Sequence, residues 1–437
     1  MKDSVRIYAC GMTVQDRPHL GHMRAYITVD VLRRYLESLG YKVTLVQNFT
    51  DIDDKVLIRA REEGRDYRIL TQRYIDEYLD VADELNIKRA SFYPRATQHI
   101  QEIIELIQRL LQKGLAYESG GDVYYDVTKF PGYGKLSGKR IEDLIAGARV
   151  EPTEHKRNPL DFVLWKGKKE GEPYWLSPFG EGRPGWHIEC SAMAMHYLGE
   201  TLDIHAGGED LIFPHHENEI AQSEGATGKT FVRFWFHNAF LNLKGEKMAK
   251  STKHYYAVRD LLEKYSPNAL RLFLLQTHYR TQIEFDFEAV ERAERSFKRI
   301  EDFLLRAEPN LAKEWQIKSD SPFREAMEDD LNTPKALALI FDLVSQGFKA
   351  LEENRDLSDY YYQVKRYLEI LGFEFTHLKR ERRKKEEELL QLVIKTRQSL
   401  REKGEYSLAD DVRKGLLDIG YKVEDTKEGT RVIEKPD

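Results

Sequence analysis

The chain opens strand, helix, strand. "SVRIYACG" alternates apolar and polar residues and stops at Gly11, the pattern of a strand running into a turn. "GHMRAYITVDVLRRYLESLG" places Val29, Leu32, Leu36 and Leu39 at helical spacing, with Gly40 as the stop signal. "YKVTLVQNFTD" follows as a short apolar strand. A β-α-β unit of this kind begins a doubly wound parallel sheet, so the expected fold class is α/β and Rossmann-like.

With 437 residues the chain exceeds what one compact domain normally holds, and two to four domains are expected. An amphipathic helix is expected over about 97–113, with Ile100, Ile103, Ile104, Ile107, Leu110 and Leu111 on one side. From about 115 to 169 the text turns to strand and turn material rich in glycine and aromatics, "GGDVYYDVTKFPGYGKLSG", an insertion between two halves of the sheet. The second half resumes near "GRPGWHIEC" and runs through "LDIHAGGEDLI", closing a first domain at 1–243. The remainder reads as mainly helical. A region at 244–306 carries the stripe Val290, Ala293, Phe297, Ile300 and Leu304. A helical bundle at 307–390 includes "LNTPKALALIFDLVSQGF", which offers an Asn/Thr cap and puts Pro334 near the first helical position. A small α+β module at 391–437 combines a helix from Ser407 to Ile419 with two short strands around "KEGT".

The formal net charge of −6 makes no case for a nucleic-acid partner, but it excludes none, since a local basic stripe suffices. One such run is "KRERRKK" at 379–385, equally at home on a solvated helical face. The two cysteines, Cys10 and Cys190, do not make a disulfide scaffold, so a reducing cytoplasmic compartment is expected. The N-terminus lacks the apolar run of a secretory signal, and no apolar stretch approaches the roughly 20 residues that cross a bilayer.

Three stretches have the makings of chemistry. "PHLGH", residues 18–22, lies between the first strand and its helix, where free amides and a positive dipole end suit a phosphate. His19 and His22 would either hold charge on a phosphoryl group or simply cap the helix. "KMAKS", residues 247–251, offers Lys247 and Lys250 to neutralise a departing pyrophosphate, or is a solvated basic turn. "FPHHENE", residues 213–219, sets His215 and Glu219 at helical i, i+4 spacing. With Cys10 and Cys190 they would complete a tetrahedral zinc set, unless both cysteines are merely buried apolar residues. His216 is the alternative imidazole, though only His215 has the i, i+4 interval.

In chain order, "CGMTVQDRPHLGH", "TDIDDK", "RNPLDFVLWK", "GRPGWHIECSAM", "DIHAGGEDLIFPHHENEIAQ" and "KMAKS" resemble the cysteinyl-tRNA synthetases, a family of class I aminoacyl-tRNA synthetases. The likeness continues to "LADDVRKGLLDIGYKVED" near the C-terminus. Single motifs are shared with other class I synthetases; "GWHIEC" and "FPHHENE" together mark cysteine enzymes and their close relatives.

The resemblance implies a catalytic domain at 1–243, a KMSKS-type loop with a helical stem-contact region at 244–306, and an anticodon-binding module at 391–437. It implies one zinc ion per chain on Cys10, Cys190, His215 and Glu219, and ATP as substrate with magnesium. His19 and His22 match the HIGH histidines, Lys247 and Lys250 the KMSKS lysines. Gly207, Gly208 and Asp210 match the segment along the nucleoside. Thr50 and Trp186 match residues around the amino-acid pocket, with His205 beside it. The implied activity is ATP-dependent activation of L-cysteine and its transfer to tRNA(Cys), by a soluble cytoplasmic enzyme expected to be a monomer.

Zinc would solve a specificity problem, because a snug pocket separates cysteine poorly from serine. A substrate thiolate binds zinc where a protonated hydroxyl does not, and ten-thousandfold discrimination needs only about 5.5 kcal/mol. The insertion at 115–169 is too short for a separate editing domain. A related ligase passing cysteine to a sugar amine and a non-catalytic tRNA-binding paralogue are the alternatives. The family usually has Ser where this chain has Ala249, and an aromatic is common where Gln15 stands.

Overall fold

A computed structural model of the chain describes residues 4–138, 155–243, 246–247, 255–308, 311, 321–426 and 429–434. Four parallel strands make the central sheet: β1 (Ser4–Ala9), β2 (Lys42–Gln47), β3 (Leu202–Gly208) and β4 (Val232–Asn238), in the order β2-β1-β3-β4. β1 runs in register with β2 from Ser4 opposite Lys42 to Ala9 opposite Gln47, and with β3 from Ile7 opposite Ile204. The chain leaves β1 towards β2 on one side and returns much later as β3 on the other. Open α/β sheets have their crevice at that reversal, beyond the carboxyl ends of the strands.

Strand periodicity decides what covers each face. Ile7 and Ala9 point one way and pack with Val29, Leu32 and Leu36 of α1 (Leu20–Ser38). Tyr8 and Cys10 point the other way, among Cys190, Met193, Ala194 and Leu198 of α3 (Trp186–Leu198). Between them in the chain, α2 (Ile100–Gln112) buries Ile103, Ile104, Ile107 and Leu110 against a second core.

That second core belongs to the insertion, an antiparallel sheet of Ala116–Ser119, Asp122–Tyr125, Phe162–Gly167 and Gly182–Pro184. Its fourth strand lies beyond residue 169, where the composition change suggests the insertion ends. Ile188 and Ala192 of α3 pack into this core. α3 is therefore covered on two sides, which accounts for a sequence apolar nearly all round.

A buried guanidinium ties α1 to the strands beyond the sheet. Arg24 donates to the carbonyls of Ala239 and Phe240, and to those of His278, Tyr279 and Thr281. These two segments flank the paired strands Leu241–Leu243 and Ile283–Glu284.

The chain divides into two compact units, Met1–Phe373 and Glu374–Asp437. In the first, helix Phe287–Ala307 buries Val290, Ala293, Phe297, Ile300 and Leu304. Helix Thr333–Glu352 starts at Asn332, whose side chain accepts from the Lys335 N–H, with proline in the first turn. In the second unit, helices Thr376–Glu402 and Tyr406–Asp418 precede an antiparallel pair, Tyr421–Thr426 with Gly429–Glu434. "KRERRKK" belongs to the first of these helices, and its side chains lie outside the described residues. Among the described residues, no helix is long and apolar enough to cross a membrane.

Candidate active site

Strand ends and one helix start enclose a cavity of about 600 Å³. Cys10, Gly207, Gly208 and Asn238 line it from the ends of β1, β3 and β4; His19, Gly21 and His22 line it from the start of α1. The amides and positive dipole end of α1 therefore lie at its wall. His19 is the N-cap of α1. Its Nδ1 accepts from the His22 N–H at 3.3 Å, while His22 Nδ1 accepts from the His19 N–H at 3.2 Å. The two rings stack with centroids 3.5 Å apart. Capping thus describes these histidines as they stand, and it places both rings on the cavity wall.

Asp210 and Trp186 line the same cavity. Trp186 stacks on His215, ring centroids 4.5 Å apart. Gly207 has no room for a side chain, since a Cβ there would lie 2.7 Å from the His216 ring.

Next to the cavity, Cys10, Cys190, His215 and Glu219 converge with one donor atom of each within 4.8 Å of the others, all four buried. Cys10 follows β1 directly, and its N–H donates to the Ala206 carbonyl, extending the β1–β3 pairing. Cys190 comes from α3 and Glu219 from α4 (Glu217–Thr227). His215 lies in the wide turn Ile212–His216, where Phe213 departs from helical angles. Cys10 Sγ is 3.8 Å from Cys190 Sγ and 3.6 Å from Glu219 Oε1, and His215 Nε2 is 3.1 Å from the same oxygen.

The wide turn also brings His216 in, its Nε2 3.5 Å from Cys10 Sγ. A second overlapping set results, Cys10, His205, His216 and Glu219, within the same 4.8 Å limit. Both candidate imidazoles are held from outside, and what favours the first set is that His205, which the second set needs, is already engaged with Glu219. His215 Nδ1 is hydrogen-bonded to His187 Nδ1 at 2.9 Å, which aims Nε2 at the cluster, as ligating imidazoles are held. His205 Nε2 donates to Glu219 Oε2 at 2.9 Å and so turns Oε1 towards the thiols. His216 Nδ1 is hydrogen-bonded to His237 Nε2 at 2.8 Å.

Burial disfavours charge throughout this cluster, yet charge is held there. Against burial, His205 and His215 keep the Glu219 carboxyl well below the usual carboxylate range. Burial likewise opposes a charged His215, but Glu219 and Cys190 outweigh it and bring its pKa up to about 10. The Cys10 thiol, by hydrogen bonding, lowers Cys190 to about 6, while burial and Cys190 push Cys10 up. His187 and His216 stay neutral, lowered by burial and by a neighbouring imidazole, His215 and His205 respectively. A proton on His215 thus offsets part of the charge on Glu219 and Cys190; a dication held by deprotonated donors would replace it. Two sulfurs, one imidazole and one carboxylate fit zinc.

The other expected residues fall as follows. Thr50 is buried and takes a hydrogen bond from Asn48 Nδ2 at 3.5 Å; neither it nor His205 lines the cavity. Lys247 sits in the short strand Glu246–Lys247, opposite Asn242, with its side chain outside the described residues. Lys250 lies wholly outside them. Sequence reasoning assigned no part to His187, His237 or Asn48. His187 had a signal, standing one helical turn before Cys190. His237 shares strand parity with Trp235, informative only once β4 is placed beside β3. Asn48 accepts from the Gly11 N–H at 2.8 Å and lies 3.8 Å from Cys190 Sγ, a link between distant segments.

Known proteins resemble this chain throughout. The family model for the class I (C) tRNA synthetase catalytic domain matches residues 1–295, and that for the DALR domain matches residues 322–376. The cysteine–tRNA ligase of Caldicellulosiruptor saccharolyticus is 49% identical, over 98% of this chain and 95% of its own. Those of Thermococcus gammatolerans and Thermotoga maritima are 46% and 47% identical, each over 98% of this chain and 94% of theirs. Among solved structures, a Mycobacterium tuberculosis methionyl-tRNA synthetase in complex with methionyl-adenylate matches with a TM-score of 0.61 at 16% identity. That match covers 85% of this chain and 90% of the other, and it concerns the fold alone. On the catalytic-domain match and on identities of 46% to 49% along 98% of its length, the chain belongs to the cysteine–tRNA ligases, a family of class I aminoacyl-tRNA synthetases.

Proposed function

We propose that the chain selects L-cysteine through a zinc ion held by Cys10, Cys190, His215 and Glu219, activates it with ATP, and transfers it to tRNA(Cys). The convergence of these four buried donors beside the cavity is the observation that carries this reading. When bound, the ion would offer a coordination position that a substrate thiolate fills and a serine hydroxyl does not.

The chain's own residues do the rest. Trp186 walls the amino-acid end of the cavity and packs on His215. His205 acts through Glu219, and Thr50 through Asn48. Gly207 and Gly208 let the nucleoside approach the backbone, with Asp210 alongside. The start of α1, with His19 and His22, holds the reacting phosphate. The cysteine carboxylate attacks the α-phosphorus of ATP, and pyrophosphate leaves with magnesium, its charge neutralised by Lys247 and Lys250. The terminal ribose hydroxyl of tRNA then attacks the activated carbonyl and AMP departs. The likeness to named tRNA ligases along 98% of the chain supports tRNA, rather than a sugar amine, as the acceptor.

ATP–pyrophosphate exchange with cysteine, with serine and with neither tests the reading, followed by charging of unfractionated tRNA. Exchange dependent on cysteine, then charging, is the expected result. Cys190→Ser should lose zinc and cysteine affinity together; a zinc-free variant that binds cysteine normally would sink the selection chemistry.

A further inference from the structure

A third group of metal-ligating side chains lies away from the cavity. His99, Glu102 and His196 each place a donor atom within 4.8 Å of the others, and none lines the cavity. His99 is the residue on which α2 starts, Glu102 lies in its first turn, and His196 lies in the last turn of α3.

The tautomer of the buried imidazole is already set. His99 Nδ1–H donates to the Arg95 carbonyl at 2.8 Å, which leaves the lone pair on Nε2. Nε2 accepts from the Tyr197 hydroxyl at 3.1 Å, a neutral donor that can rotate away. Glu102 Oε1 is 3.3 Å from His196 Nδ1, and the His99 and His196 rings meet edge to face with centroids 5.5 Å apart. The His196 side chain is 45% exposed, so water can complete a coordination shell.

We propose that His99, Glu102 and His196 form a second transition-metal site, which takes zinc or a cation of similar preference and braces α2 against α3. Two imidazoles, one carboxylate and an open side make a three-ligand site. A tetrahedral shell at ordinary zinc distances brings donor atoms to about 3.3 Å from one another. The partly exposed His196 and Glu102 supply the closing movement by rotamer adjustment, while His99 stays fixed. With no sulfur in the set, nickel, cobalt and copper would bind as well. The brace has a consequence for the first site, because α3 also carries Cys190.

The test uses the full chain, incubated with zinc and freed of loosely held metal. His196→Lys puts a cation opposite Glu102 but has no lone pair to give at neutral pH; Glu102→Gln keeps the shape without the charge. Wild type should retain one zinc equivalent more than either variant. Added zinc should raise the melting temperature of wild type further than that of either variant. With cobalt, the equivalent lost in the variants should lack thiolate-to-metal absorption. The one-equivalent difference is read whether or not the Cys10–Cys190 site fills, so the two proposals fail separately. Equal zinc content and equal thermal response in wild type and His196→Lys would overturn this one, leaving His196 and Glu102 as a hydrogen-bonded pair.

Discussion

His215 is gripped at both ends of its ring, by His187 on Nδ1 and by Glu219 beside Nε2. His216, its neighbour in sequence, reaches the same cluster but is bound to His237. These two histidines should respond differently to truncation. His215→Ala is expected to abolish metal retention, and His187→Ala to weaken metal affinity about 10- to 100-fold by freeing the ligand's ring. His216→Ala should keep its metal. Elemental analysis of the three variants decides, and loss of metal in His216→Ala alone would transfer the ligand role to the Cys10, His205, His216, Glu219 set. The choice between the two histidines was only partly legible in sequence. Spacing alone does not decide between them, because on a helix the residues three and four before Glu219 both lie near its face. What separates them is their outer partners, His187 for His215 and His237 for His216, which come from other elements and have no signal in the local spacing.

Elements differ in how much of themselves they declare locally. β1 and α1 were readable because each carries its own period, two in the strand and 3.6 in the helix, β2 as a short apolar run after them, and α2 and Phe287–Ala307 likewise show one apolar stripe. The pairing of β1 with β3 was not, since the two strands are separated by the whole insertion and share no local signal. Nor was the role of Arg24, whose partners are backbone carbonyls and so leave no trace in residue type. Burial lowers its pKa to about 10, with Glu209 opposing, and the charge is retained. Arg24→Lys offers fewer donors in one direction and should strand buried carbonyls at about 1–3 kcal/mol each. Unfolding at an unchanged denaturant concentration would show that the anchoring of α1 to residues 239–240 and 278–281 carries no weight. A second tie between elements is pH-sensitive. Asp54, at the start of helix Asp54–Glu62, meets Lys166 and Arg183 of the inserted sheet. Burial works against its charge, yet these cations lower its pKa from 3.8 to about 2. A depressed carboxylate stabilises the fold above its unfolded pKa and loses that contribution as pH falls through its folded one. Asp54→Asn should therefore be less stable than wild type at neutral pH and lose less on acidification between about 4 and 2. Parallel acid-unfolding curves for the two proteins would count against the tie.

At the scale of the whole molecule, the two compact units invite separate roles. Every described residue proposed to contact cysteine or ATP lies in Met1–Phe373, as does the DALR match at 322–376 for all but its last three positions. Glu374–Asp437 has its own helices and its own two-stranded sheet, with Ala409, Leu416 and Val423 buried within it. A unit with secondary structure and buried residues of its own can be tested by removing it as one piece. If the C-terminal unit serves tRNA recognition, adenylate formation should not need it. A chain ending at Phe373 is expected to keep cysteine-dependent ATP–pyrophosphate exchange near the full-length rate while its kcat/KM for tRNA charging falls at least tenfold, a loss of about 1.4 kcal/mol in transition-state binding. The tRNA term should carry the loss, with KM values for cysteine and ATP unchanged. Charging at the full-length rate would remove the C-terminal unit from tRNA recognition; an equal fall in exchange would show that the catalytic unit depends on it for its own folding.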